Sequence, residues 1–277
     1  MLGLFKLQLG NRVPVSFDRW NFPGGEVGVK INEIPSEPNE TTYEIVTKGI
    51  VTPEDTFVLL NLLDALRQIG AKPKNVRVFL PYFPYARQDR VCHPGESSAL
   101  LVFCQILASS KHRFDHLYIV DPHSSVTEEY LVGLGFKNVW VQEQQYAAHG
   151  LPKYDFIVAP DAGAAKKADK IQPSAQHIFL TKMREDGKVK SFVKPEDLYK
   201  IVGAACIVDD ICDGGRTFIE AGRLLRATMP HMTSLDLYVT HGIFSAGIDK
   251  LLEIFDNVYC KNLMSSDPSV TSKVKVL

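Results

Sequence analysis

The chain has 277 residues, 45% of them hydrophobic, with 31 Lys and Arg against 32 Asp and Glu. That length suits about two globular domains, and a formal charge of −1 excludes a general nucleic-acid surface or a polybasic membrane anchor, so positive charge used in binding has to be local. The cysteines (Cys92, Cys104, Cys206, Cys212, Cys260) are odd in number and lack CxxC spacing, and no apolar run reaches membrane-spanning length. The expectation is a cytoplasmic protein with reduced thiols, without signal peptide, zinc site or disulfide framework.

From the N-terminus, the first fifty residues read as antiparallel strands, among them 27–31 and 43–46, separated by turns containing Pro and Asn. Leu59, Leu62, Leu63, Leu66 and Ile69 fall on one face of a helix predicted over 56–69, and a second helix is predicted over 97–108. Apolar or β-branched runs then recur at 76–80, 117–120, 156–159, 177–180, 206–208 and 235–239, with helical stretches between them. That alternation predicts an α/β fold with parallel strands. The polar stretch 141–153, closing with Gly150 and Pro152, marks a domain break, which gives an N-terminal domain 1–142 and a C-terminal domain 143–277.

Chemistry collects in the polar turns after the strands. Tyr82-Phe83-Pro84-Tyr85-Ala86-Arg87-Gln88-Asp89-Arg90 comes after the first of these runs, Asp121-Pro122-His123 after the second, and Pro160-Asp161-Ala162-Gly163 after the third. Thr181-Lys182-Met183-Arg184 comes after the fourth. Carboxyl ends of parallel strands share one edge, so these polar turns converge there and suggest phosphate and metal chemistry. The most informative run is Asp209-Asp210-Ile211-Cys212-Asp213-Gly214-Gly215-Arg216-Thr217, an acidic, glycine-bearing turn between an apolar strand and a helix starting near Phe218. Its glycines allow close backbone approach, and N–H groups at the helix start can bind a phosphate. Asp209 and Asp210 are placed to accept hydrogen bonds from ribose hydroxyls. The plainer alternative is an ordinary strand-to-helix connection with solvated acids.

Together with Phe22-Pro23-Gly24-Gly25-Glu26 and Thr240-His241-Gly242-Ile243-Phe244-Ser245, these segments resemble the ribose-phosphate pyrophosphokinases, also called phosphoribosyl pyrophosphate synthetases, nearly from end to end. The resemblance implies two phosphoribosyltransferase-like domains, each with a mainly parallel central sheet flanked by helices. It also implies a magnesium-dependent transfer of the β,γ-diphosphoryl group of ATP to the 1-hydroxyl of ribose 5-phosphate, with release of AMP.

By the same resemblance, Arg87, Gln88 and His123 contact ATP, and Phe22, Gly24 and Glu26 reach the ATP site of a neighbouring subunit, which implies a homodimer or higher homo-oligomer. Asp161 is the expected magnesium ligand, with His123 on the metal or on a phosphate. Lys182 and Arg184 match the catalytic pair of a loop that folds over the transferring group. Asp209, Asp210, Asp213, Gly214, Gly215, Arg216 and Thr217 hold ribose 5-phosphate. The chain departs from the family pattern where Gly24 replaces an Asp, where Arg216 enters the phosphate loop, and where the residues after Arg90 lack a basic segment. Two rival readings are a phosphoribosyltransferase, which has no need of an ATP site, and a catalytically silent relative that regulates a true synthetase.

Overall fold

The computed structural model describes residues 2–47, 52–185, 188–193 and 202–277, with side chains described outside 181–193. The chain divides into two compact units, Met1–Gln142 and Glu143–Leu277.

The first unit opens with β1 (Leu2–Gln8), β2 (Asn11–Pro14), β3 (Phe17–Asn21), β4 (Val27–Ile31) and β5 (Tyr43–Thr47). It continues with α1 (Pro53–Gln68), β6 (Val76–Leu80), α2 (Ala99–Ala108), β7 (His116–Val120), α3 (Val126–Gly133) and β8 (Asn138–Gln142). A six-stranded sheet runs β2-β1-β5-β6-β7-β8, antiparallel where β1 meets β2 and β5 and parallel from β5 to β8. The antiparallel reading of the first fifty residues holds for β1 with β2 and β5 and for β3 with β4, which form a separate hairpin; β5 in addition opens the parallel series through β6.

Because β5 to β8 succeed one another in a single direction, right-handed crossovers carry α1, α2 and α3 to the same face. That face holds the core, in which Val58, Leu59, Leu62, Leu63 and Leu66 of α1 join Val76, Val78, Leu80, Phe103, Leu117 and Ile119. On the opposite face Phe79 stacks on Tyr118 at 4.3 Å, and Trp140 continues the row at 6.3 Å from Tyr118. Helix α1 starts earlier than its apolar spacing suggests, because Thr52 and Asp55 form a reciprocal capping box around Pro53.

The second unit contains α4 (Gln144–Ala147), β9 (Phe156–Ala159), α5 (Ala162–Ala168), β10 (Gln176–Phe179), β11 (Thr181–Glu185), β12 (Lys188–Val193) and β13 (Val202–Cys212). After these come α6 (Arg216–Thr228), β14 (His231–Gly242), α7 (Asp249–Leu252), β15 (Asn257–Leu263), α8 (Pro268–Thr271) and β16 (Lys275–Val276). Its sheet, ordered β10-β9-β13-β14-β15-β16, is parallel throughout. From β9 the chain steps outward to β10, while from β13 it steps the other way, so the winding reverses between β9 and β13. Both faces are consequently covered. Ala164 and Ala168 of α5 pack with Ile157, Cys206, Val208 and Tyr238 on one side, and Phe218, Ala221 and Leu225 of α6 pack with Ile207, Leu237 and Val239 on the other.

Two boundaries differ from the sequence reading. Asp209 and Asp210 belong to the end of β13 rather than to the turn, because β14 keeps pairing with that strand as far as Cys212 opposite Gly242. Thr181–Glu185 and Lys188–Val193 are strands β11 and β12, paired antiparallel, rather than a turn, with a register shift between Met183 and Arg184. All five cysteines are unpaired, and burial pushes the thiols of Cys104 and Cys260 up to about 12, so these two pack as apolar groups.

Candidate active site

In the first unit the loop after β6 is built from the inside outward. Phe83, Pro84 and Ala86 are buried, and Phe83 meets Phe103 of α2 edge-on at 5.3 Å. Tyr85 adopts the left-handed region at φ 63, a conformation uncommon outside glycine, and its carbonyl accepts a hydrogen bond from the Gln88 N–H at 2.9 Å. The anchored side chains thus turn Arg87 and Gln88 toward solvent at the carboxyl edge of the sheet.

The neighbouring strand β7 leads into Asp121, which is also left-handed at φ 37 and buried, and whose N–H donates to the Gln142 carbonyl at 2.8 Å. His123, two residues on, is exposed. Between the two loops sits Asp89, to which sequence alone assigns no role. Burial raises its carboxyl, but hydrogen bonds from Arg90 and Ser124 and the charge of His123 outweigh that, leaving the group below the usual carboxylate range. The structure therefore brings the 87–90 segment and His123 to one edge, with Asp89 between them.

Phe22, Gly24 and Glu26 occupy the tip of the β3–β4 hairpin, on the α1 flank of the unit. Arg19 ties the hairpin to Glu54 and Asp55, and Asn61 donates to the Val27 carbonyl at 3.1 Å. Bonds from Phe22 N–H to the Glu26 carbonyl and from Gly25 N–H to the Phe22 carbonyl close the tip, which needs Gly25 at φ 94. Phe22 is half exposed against the edge of Trp20. The Glu26 carboxylate folds over Gly24, so a Cβ there would lie 2.6 Å from Oε2. A carboxylate thus already occupies the room that a side chain at position 24 would take.

In the second unit the site residues gather where the winding reverses, the place at which open α/β sheets bind ligands. Asp161, after β9, caps α5: its Oδ1 accepts from the N–H groups of Gly163 at 2.9 Å and Ala164 at 3.1 Å. Asp209 Oδ1 accepts from the Asp210 N–H at 2.8 Å, and Lys167 of α5 places Nζ 3.7 Å from Asp210 Oδ2. Burial first, then the neighbouring charges of Asp210 and Asp161, push the Asp209 carboxyl well above its ordinary range. Hydroxyl donors or a cation would relieve that crowding. Lys167 gives no signal in the sequence because it lies a turn and a half into α5, away from the polar turn at 160–163.

Among the described residues, no three His, Cys, Asp or Glu side chains converge as a ready-made metal cage. The metal-ligating atoms present are carboxylate oxygens in a like-charge cluster, and Asp161 Oδ1 already accepts from the α5 amides. They fit a magnesium ion held by one or two carboxylates and completed by substrate oxygens and water.

Beyond β13 lies the 213–217 loop. Gly215 stands at the start of α6 in the left-handed region at φ 76, and it offers the helix no side-chain cap. A Cβ at Gly215 would meet the Leu251 side chain at 3.2 Å, whereas one at Gly214 would meet nothing within 4 Å. The open side of the turn therefore lies at Gly214, next to the first N–H groups of α6. Arg216, exposed, gives Nε to Glu220 Oε1 at 2.8 Å, one turn along the helix. Lys182 and Arg184 lie on β11, and their side chains fall outside the described residues.

Two units, one with a mainly parallel sheet and one with a parallel sheet that carries an acidic strand end and a glycine-led helix at its switch point, define an α/β protein of two phosphoribosyltransferase-like domains. In agreement, the fold is similar to that of phosphoribosylpyrophosphate synthetase from Mycobacterium smegmatis, with a TM-score of 0.73 at 22% identity over 95% of this chain and 86% of that one. The sequence model of the N-terminal domain of ribose phosphate pyrophosphokinase matches residues 11–110. Among relatives named ribose-phosphate pyrophosphokinase, that of Pyrococcus abyssi is 28% identical over 97% of this chain and 89% of its own length. That of Methanopyrus kandleri is 31% identical over 77% and 71%, and that of Granulibacter bethesdensis 31% over 82% and 71%. The chain belongs to the ribose-phosphate pyrophosphokinase family.

Proposed function

We propose that the protein transfers the β,γ-diphosphoryl group of ATP to the 1-hydroxyl of ribose 5-phosphate, giving phosphoribosyl pyrophosphate and AMP. The observation that carries this reading is the switch-point site of the second unit, where the Asp209 and Asp210 carboxylates sit beside a glycine-led helix start. In the proposal these acids accept hydrogen bonds from the ribose hydroxyls, and the 5-phosphate rests on the N–H groups at the start of α6 with Thr217 and Gly214.

Arg87 and Gln88 bind ATP from the first unit, the guanidinium meeting phosphate charge and the amide hydrogen-bonding the base or sugar, with His123 on a phosphate. Phe22 and Glu26 act on the nucleotide of a neighbouring copy, Phe22 by stacking on the base. Magnesium, taken up through Asp161, neutralises polyphosphate charge when bound. Lys182 and Arg184 stabilise the charge that builds on the transferring group, and they need to act only as it develops. The surroundings are those of a soluble cytoplasmic enzyme.

Incubation of the pure protein with ATP, ribose 5-phosphate and magnesium tests the reading. Stoichiometric AMP supports it. ADP would indicate an ordinary kinase, no turnover by folded protein a silent relative, and pyrophosphate release from phosphoribosyl pyrophosphate with a supplied base a phosphoribosyltransferase; each of these overturns it.

A further inference from the structure

We propose that Ser245, in the loop after β14, is a positioning residue that sets the orientation of Asp213 for the sugar phosphate. Its hydroxyl donates to Asp213 Oδ1 at 2.6 Å, the short distance of a charge-assisted bond. Three backbone bonds bring the two loops into register. The N–H groups of Ile243 and Phe244 donate to the Cys212 carbonyl at 2.9 and 3.1 Å, and the Ser245 N–H donates to the Asp213 carbonyl at 3.1 Å.

The turn presenting Ser245 is itself tightly specified. Phe244 is a buried aromatic held in the left-handed region at φ 51, where a non-glycine residue is uncommon. Its ring fills the space above Gly242, where a Cβ would lie 2.2 Å from Phe244 Cε2. Gly247, left-handed at φ 78, closes the turn by donating to the Phe244 carbonyl at 2.9 Å. A burial-locked backbone therefore aims a hydroxyl at an acid that begins the glycine loop. Strained, over-determined backbone of this kind belongs to sites where geometry matters.

The consequence is positional. With Oδ1 engaged, the Asp213 carboxylate is fixed in plane, and its capacity to accept hydrogen bonds from sugar hydroxyls is delivered in one orientation instead of several. Ser245 does not touch the substrate; it acts through Asp213. The inference rests on the proposed function for the identity of the ligand.

The test compares Ser245→Ala with Ser245→Thr, which keeps the hydroxyl. Ser245→Ala is expected to lower kcat/KM for ribose 5-phosphate by roughly ten-fold or more, the effect of losing one hydrogen bond to a charged group, while KM for ATP stays within about two-fold. Ser245→Thr should recover most of the loss. Asp213→Asn combined with Ser245→Ala should be no worse than Asp213→Asn alone, because the hydroxyl works only through the acid. Unchanged kcat/KM in Ser245→Ala, equal losses for both substrates, or additive losses in the double variant would overturn the proposal. If the wild-type protein makes no AMP, the proposed function fails by itself, and calorimetric titration of ribose 5-phosphate into wild type and Ser245→Ala still decides the inference: weaker binding in the variant supports it, and equal binding or none refutes it.

Discussion

The two units place their chemistry by different physical means. In the first, the sheet is wound in one direction from β5 onward, its helices share one face, and the polar residues sit on loops held down by aromatic anchors such as Phe83 against Phe103. In the second, the winding reverses beside the site, and the acids are part of the sheet itself, crowded at the end of β13. Exposed cationic and amide groups on an anchored loop are inexpensive to hold. Crowded carboxylates, Asp210 buried and Asp209 partly so, are not, and the Asp209 carboxyl is driven upward by desolvation and like charge. The first arrangement puts packing under its exposed polar loop, while the second carries a desolvation and like-charge cost at its strand end.

Removing the anchor tests the first half of that contrast and carries the largest effect. Phe83→Ala should destabilise the protein by about 3–5 kcal/mol in urea unfolding, the usual loss for a large buried aromatic, and weaken ATP more than ribose 5-phosphate. Should both substrates suffer equally, the loop would not be positioned by its own anchor.

Lys182→Ala should reduce kcat by about 10²–10³-fold in the AMP assay with smaller changes in KM, as for one donor aimed at developing charge. A change confined to KM would mark the residue as a ground-state binder.

Asp209→Asn sharpens the contrast because stability and activity should move in opposite directions. In the folded protein the carboxyl keeps its proton to higher pH than in the unfolded chain. Across that window the native state binds more protons, so the group's contribution to stability falls as pH rises from the ordinary carboxylate range through the raised folded value. At neutral pH the amide should therefore raise Tm by about 2–4 °C while affinity for ribose 5-phosphate drops. At a pH below the ordinary carboxylate range the Tm gain should vanish. A lower Tm at neutral pH would show that Asp209 is already neutralised by its neighbours.

The smallest effect is expected at Arg216. Its side chain is exposed and paired with Glu220, so Arg216→Ala should alter stability by no more than about 0.5 kcal/mol. If the guanidinium exchanges Glu220 for the 5-phosphate, KM for ribose 5-phosphate rises while kcat holds. No change would leave it as a surface pair.

Much of the architecture is legible in the residues. The run at 76–80 is β6 and that at 156–159 is β9, because short apolar, β-branched segments have few alternatives to a buried strand. The start of α1 escapes the apolar pattern only because the capping pair Thr52 and Asp55 carries no apolar periodicity. The length of β13 is hidden for the opposite reason. Aspartates read as turn residues, and what keeps Asp209 and Asp210 in a strand is hydrogen bonding to β14, a segment that lies beyond the whole of α6 in sequence. Asp89, Lys167 and Ser245 share that difficulty, since each matters through a partner brought near by folding.

By itself, then, the sequence determined the α/β alternation, the polar segments after the strands and the glycine-bearing loop, because periodicity and turn chemistry are local properties of the chain. Which strands continue to pair, which acids crowd one another and which hydroxyl faces Asp213 were decided only in the tertiary structure. Those depend on long-range backbone pairing and on burial, and neither is a property of any short stretch of residues.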